Sequence, residues 1–414
     1  MTKSKYAVIA VFVILCLNQA WSGGVADQLA EVAAATRGQR IGMITNPSGC
    51  DETGRLDADA LMLEHGTSIT AFFAPEHGLR GALPPGVGGG DYIDPETSIP
   101  VYAVYGTRNA PTSEQLAMVD ALVCDLQDVG VRFYTFMWTM TYCMEAAAAN
   151  GKSFFIIDRP NPIGGILVEG RPNTLNYGLI GRLGPGAAFC VATRHGMTAG
   201  EIATMWNTEW MIPQANLHVI KAPGWRRGQW WTETGRRFVP PSPNMRTPDT
   251  ASVYPGTCIF EGSNISEGRG TTNPFELIGA PFINTQAYAD RLTSLALPGV
   301  RFDPATFTPA SSKWSGKTCG GARVTVTNRD VFEPVRAGMI MLQTAYQMYP
   351  SQVTITTYAS DLMGVPNLHN RIKTEPVDSI VAEWQQLLVD FKAFRSRCLL
   401  YPDGGAVVGG WELF

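Results

Sequence analysis

Charge and histidine are both scarce in this chain. Only 16% of its 414 residues are charged and the net charge is -4, so it lacks the basic field that holds nucleic acid. There are five histidines, and none stands at the spacing of metal ligands. No Cys-x-x-Cys pair occurs either, so no metal site is expected. The absence of a Gly-x-Ser-x-Gly elbow argues against a Ser-His-Asp hydrolase. The first strand is not followed by Gly-x-Gly-x-x-Gly, and Gly88-Gly89-Gly90 lacks the Lys-Ser/Thr partner of a phosphate loop. No cofactor is therefore expected. Internal repeats, coiled coils and low-complexity tracts are also missing.

Long apolar runs are missing except at the start. Lys3 and Lys5 precede the run Ala7 to Leu17, and the small residues Ala20 and Ser22 follow it. Residues 1–22 read as a secretory signal peptide, which implies a secreted or periplasmic protein. The run is too short for a comfortable membrane span, so no stable span is expected once the signal is removed. An uncleaved anchor is the alternative. Seven cysteines remain beyond the signal, Cys50, Cys124, Cys143, Cys190, Cys258, Cys319 and Cys398. An odd number at wide spacing is no disulfide framework, although one or two bridges fit an oxidising compartment.

Glycine, proline and tryptophan are plentiful. Strands and helices alternate along the first half. Arg40–Thr45, Ser68–Phe73, Val101–Tyr105, Leu122–Asp128, Ser153–Asp158 and Leu217–Ile220 read as strands. Helical patterns separate most of them, including Arg132–Ala149. That alternation predicts an α/β fold with a mostly parallel sheet and crossover helices. The Pro-rich Pro240 to Asn244 reads as a domain junction. A second unit follows, with a strand at Arg323–Thr327 and helices at Pro334–Tyr349 and Trp384–Phe394.

The polar clusters fall where such a sheet builds its sites. Asn46, Glu76-His77, Asp125 with Asp128, and Asp158-Arg159 with Asn161 all follow, or end, predicted strands. In a parallel sheet those ends share one edge. With metal, nucleotide and serine chemistry disfavoured, carboxylate chemistry remains. Glycoside hydrolysis requires a carboxylic acid to protonate the leaving oxygen, and a second group to activate water or attack C1. Glu76 is the acid candidate, because burial beside Phe72, Phe73 and Pro75 would favour its protonated form. An ion pair with Arg80 is its bland alternative. Candidate partners are Asp125, Asp128, Asp158, Glu169 and Glu267. Arg80, Arg159, Arg194 and Arg269 lie in Gly- or Pro-bounded loops, where guanidinium groups bind a ligand carboxylate. The proline- and glycine-rich loop from Ala82 to Asp94 reads as a lid or rim.

The motifs Pro75-Glu76-His77-Gly78-Leu79-Arg80-Gly81, Asp125 to Thr135 and Asp158-Arg159-Pro160-Asn161-Pro162 resemble those of the exo-β-N-acetylmuramidases of the NamZ kind. So do Val168-Glu169-Gly170, Arg194-His195-Gly196-Met197-Thr198, Tyr254 to Cys258, and Glu267 to Thr272 continuing into Pro274-Phe275-Glu276. The resemblance covers nearly the whole mature chain, in order. It implies a Rossmann-like catalytic domain over 23–240 and a smaller α/β domain over 241–414 that completes a cleft. It also implies hydrolysis of terminal, non-reducing N-acetylmuramic acid from peptidoglycan fragments, so a muropeptide is the expected partner. Glu76 is then the catalytic acid, with Asp128 and Glu169 as further catalytic candidates. Asn46, His77, Arg80, Asp125, Asp158, Arg159, Asn161, Arg194, His195, Asn264, Glu267 and Arg269 are the expected substrate contacts. The substrate's lactyl carboxylate would account for the arginines. The segment after Gly81 departs from the family's usual charged stretch. A non-catalytic cell-wall sugar binder, or a glycosidase for another N-acetylated or acidic sugar, is the alternative reading.

Overall fold

The structure is a computed structural model that describes residues 24–182 and 190–403. The expected signal peptide over 1–22 lies outside the described residues. Helix α1 (Val25–Ala35) leads into β1 (Arg40–Thr45), α2 (Asp57–His65) and β2 (Ser68–Ala74). Then come β3 (Tyr92–Ile93), β4 (Pro100–Ala103), α3 (Ser113–Leu116) and β5 (Ala121–Asp125). Helix α4 (Phe136–Ala149), β6 (Ser153–Ile157), α5 (Ala199–Glu209) and β7 (Asn216–Ile220) complete the first unit.

These strands form one sheet in the order β3-β4-β2-β1-β5-β6-β7. Every pairing is parallel except β3 with β4. The chain winds outward in one direction from β1 through β2 to β4, then returns to β5 on the other side. That is the doubly wound, Rossmann-like arrangement, which collects ligand-binding loops beyond the carboxyl ends of its strands. The central strands are buried on both faces, as their continuous apolar runs require. Thr198 caps α5 through a reciprocal bond pair with Glu201, the box its sequence spells.

Helix α4 begins at Phe136 rather than Arg132. Arg132 is fully buried, and its guanidinium donates to the carbonyls of Arg171, Val191 and Leu362. Residues 130–135 are thereby held as a loop. The stripe Phe136, Met137, Met140 and Met144 is core, as expected.

The second unit holds α6 (Pro248–Thr257), β8 (Leu277–Ala280), α7 (Thr285–Ser294), β9 (Val300–Phe307), β10 (Cys319–Val326), α8 (Pro334–Met348) and α9 (Thr357–Met363). Its antiparallel sheet runs β8-β10-β9. Helix α6 was not visible in the sequence, because Pro255 sits inside it. It packs against α8 backbone to backbone. A Cβ on Gly256 would lie 1.7 Å from the Pro334 carbonyl oxygen, so glycine alone permits the crossing. All seven described cysteines are free and buried.

Candidate active site

A cavity of about 520 Å³ opens beyond the carboxyl ends of β2, β4 and β5. The first unit contributes Glu76, His77, Gly86, Tyr105, Phe133, Tyr134 and Thr135. The second contributes Tyr254, Glu261, Glu267, Arg269, Phe275, Lys313 and Tyr358. The lining includes Tyr105, Phe133, Tyr134, Tyr254, Phe275 and Tyr358, whose rings suit the apolar faces of a sugar.

Glu76 follows β2 directly, and its partners are neutral. Oε1 accepts the Gly86 N–H at 2.7 Å and Oε2 accepts the Thr135 hydroxyl at 2.7 Å. The Tyr105 hydroxyl bonds it too, and its phenol is pushed up to about 12 by burial and then by the Glu76 charge. Next to it, His77 takes a left-handed backbone with φ 75°, and its Nδ1 lies 3.1 Å from the Leu83 carbonyl. The pair Leu83 and Gly86 therefore ties the Ala82 to Asp94 loop to Glu76-His77. The rim role expected for that loop has this geometric basis.

The charged groups from the second unit pair with one another. Arg269 Nη2 lies 2.5 Å from Glu261 and its Nε 3.3 Å from Glu267. Lys313 Nζ bonds Glu267 at 2.9 Å and the carbonyls of Phe260 and Ile265. Burial works against the Arg269 charge, but Glu261 and Glu267 outweigh it and hold the guanidinium protonated. Neither ion pair uses Nη1 of Arg269, which leaves donors for a ligand anion.

Four of the expected site residues line this cavity: Glu76, His77, Glu267 and Arg269. The others are placed elsewhere, and each has a physical reason. Arg80 pairs with Asp94 at 2.8 Å and also with Asp59 and Glu96, rather than with Glu76. Arg159 is buried between Asp57 and Asp125, 2.6 Å from each. Asp158 caps α5, accepting the Gly200 N–H and the hydroxyls of Thr198 and Tyr401. Burial raises its carboxyl to about 6 against those bonds. Asn46 accepts the Ser48 N–H and hydroxyl. Asn161 closes a turn on Ile163 and donates to the Met197 carbonyl.

Glu169 is also away from the cavity. It receives the Val335 and Arg336 N–H groups at the start of α8, the place where a helix favours an anion. Burial nevertheless raises it to about 7. Arg194 donates to the Ile163 carbonyl and lies 5.0 Å over the Trp230 ring, and burial pushes it down to about 10. Asn264 bonds Gln352 and Thr354 through its side chain. Asp128 and His195 form a buried pair, 3.4 Å apart. Because His195 Nδ1 accepts the Met197 N–H, its Nε2 carries the proton toward Asp128. The four arginines thus do not converge, and Arg269 alone of them reaches the cavity.

Sequence reasoning missed Tyr105, Tyr134, Thr135, Tyr254, Glu261, Lys313 and Tyr358. Tyr134 and Thr135 stood inside a quoted motif, just past β5, where a site was expected. Lys313 lies in the turn between β9 and β10, flanked by Ser312 and Trp314 at φ 67° and 59°. No motif announced it.

A Rossmann-like domain joined to a smaller α/β domain, with a cavity around a carboxyl group that has no ion pair among the described residues, suits the general-acid step of a glycoside hydrolase. The comparisons narrow this class to a family. The family model for exo-beta-N-acetylmuramidase NamZ matches through its N-terminal part over residues 41–249 and its C-terminal part over 252–401. The peptidoglycan beta-N-acetylmuramidase NamZ of Bacillus subtilis is 42% identical over 381 residues, 91% of each chain. Two DUF1343 family crystal structures from Bacteroides fragilis superpose with TM-scores of 0.82 and 0.72, at 30% and 27% identity. They cover 91% and 92% of this chain, and 98% and 99% of their own. The chain belongs to the NamZ family of exo-β-N-acetylmuramidases.

Proposed function

We propose that this protein hydrolyses terminal, non-reducing N-acetylmuramic acid from peptidoglycan fragments. The observation that carries the reading is the Glu76 carboxyl, set in the cavity on two 2.7 Å bonds from neutral donors. A carboxyl so held can take a proton without breaking an ion pair. The Thr135 hydroxyl can then turn from donor to acceptor, and Glu76 can deliver the proton to the bridging sugar oxygen. Nη1 of Arg269, which neither ion pair uses, is the donor for the lactyl carboxylate. The similarity to the peptidoglycan beta-N-acetylmuramidase of Bacillus subtilis supports the substrate class. Export through the N-terminal segment would bring the enzyme to cell-wall sugars outside the cytoplasm.

The test is product release from two disaccharides. One carries N-acetylmuramic acid at its non-reducing end, and the other carries N-acetylglucosamine there. Free N-acetylmuramic acid from the first alone is the expected result. Equal cleavage of both would move the substrate to another N-acetylated sugar. Tight binding with no product would make the chain a cell-wall sugar binder.

A further inference from the structure

The second unit sets four charged groups in the cavity, Glu261, Glu267, Arg269 and Lys313. They alternate in sign along one chain of contacts. Glu261 bonds Arg269 Nη2 at 2.5 Å, Arg269 Nε lies 3.3 Å from Glu267 Oε1, and Glu267 Oε2 lies 2.9 Å from Lys313 Nζ. The Glu267 side chain is only 2% exposed, so its charge depends on these two cations rather than on water. Lys313 has no donor left over, because Glu267 and the carbonyls of Phe260 and Ile265 take all three ammonium protons. The turn that carries it is fixed as well. Trp314 Nε1 donates to the Asn264 carbonyl at 2.6 Å, and the Ala310 N–H donates to the Gly270 carbonyl at 2.9 Å. Ser312 and Trp314 hold left-handed backbones on either side of Lys313, a strained conformation that persists where its surroundings over-determine it.

We propose that Lys313 is a positioning residue whose charge lets Arg269 receive the substrate's lactyl carboxylate. Arg269 faces two carboxylates, so without Lys313 this wall would carry a net negative charge and repel an anion. With Lys313 the four charges cancel, and the Nη1 donors that neither ion pair uses can bind a further carboxylate. Lys313 acts through Glu267 and not by touching the sugar, since its donors are spent within the protein. This assignment rests on the lactyl contact of Arg269 in the function proposed above.

The test measures binding of N-acetylmuramic acid and of its lactyl methyl ester by calorimetry, since the ester keeps the sugar and removes the charge. Wild type should prefer the acid. Lys313→Met should weaken binding of the acid about tenfold, the scale of one unit charge acting through an effective dielectric of about 20, and leave the ester within about twofold. Lys313→Arg should keep the preference. Adding Glu267→Gln to Lys313→Met removes one charge of each sign, so this double variant should recover the preference, and it decides the matter even where Lys313→Met alone does not fold. Equal losses on acid and ester in Lys313→Met would make Lys313 a structural tie and overturn the proposal, as would a double variant with no preference for the acid. A wild type indifferent to the ester would overturn the lactyl contact of Arg269 and the proposal with it. A wild-type preference that survives Lys313→Met would overturn the proposal alone.

Discussion

Replacing Arg159 by methionine separates a structural role from a substrate contact. Its guanidinium lies 2.6 Å from both Asp57 and Asp125, and 3.1 Å from the Cys50 carbonyl. All three charged residues are buried. Burial, followed by the nearby Asp125 charge, raises Asp57 to about 9. At neutral pH one proton therefore sits on the carboxyl pair, and the triad is close to neutral overall. Asp57 Oδ1 and Asp125 Oδ2 have no hydrogen-bond partner among the described residues. Methionine at 159 removes the cation and strands the remaining carboxylate. Breaking a buried pair in this way costs about 3–5 kcal/mol. Thermal and denaturant unfolding should show that loss. The protein that remains folded should keep the wild-type KM for the muramide. Adding Asp57→Leu and Asp125→Leu should restore most of the stability, since buried ion pairs exchange for apolar groups at little net cost. An Arg159→Met protein of normal stability with a raised KM would refute this reasoning and return Arg159 to the ligand.

Other predictions follow from the loop and from Glu169. A Cβ on Gly88 would come within 2.6 Å of the Tyr105 carbonyl oxygen, whereas one on Gly90 would meet open space. Gly88→Ala should lift the loop and withdraw the Gly86 N–H from Glu76, lowering kcat several-fold more than Gly90→Ala does; equal rates for the two would contradict that coupling. Glu169 is buried with a carboxyl raised to about 7 from 4.5. The folded state thus holds its proton longer than the unfolded chain, so this group favours folding fully below about pH 4.5 and loses that contribution as pH rises through 7. The change is on the order of 3 kcal/mol. Glu169→Gln should therefore gain on wild type between pH 5 and 8 in denaturant titrations. A pH-independent difference would contradict this.

Much of the fold was readable because parallel strands buried on both faces leave continuous apolar runs, and because caps such as Thr198 with Glu201 are local. The site was only half readable. Polar residues at strand ends were expected to face a ligand. Most of them bond each other instead, as Asp125, Arg159 and Asp57 do, because the carboxyl edge of this sheet is itself buried. Such an edge must satisfy its own charges and backbone groups before any can face a ligand. Glu76 escapes this because Gly78 and Gly81 turn the chain out at φ 76° and 73°. The other wall depends on tertiary packing: Lys313 and Glu261 reach the cavity through a turn and a helix whose positions no local pattern encodes.

The claim that most needs testing is that Glu76 supplies the proton. Turnover of a chromogenic N-acetylmuramide by Glu76→Gln should fall by roughly 10² to 10⁴, with N-acetylmuramic acid still bound within a fewfold of the wild-type affinity. Unchanged turnover by that variant would contradict the account.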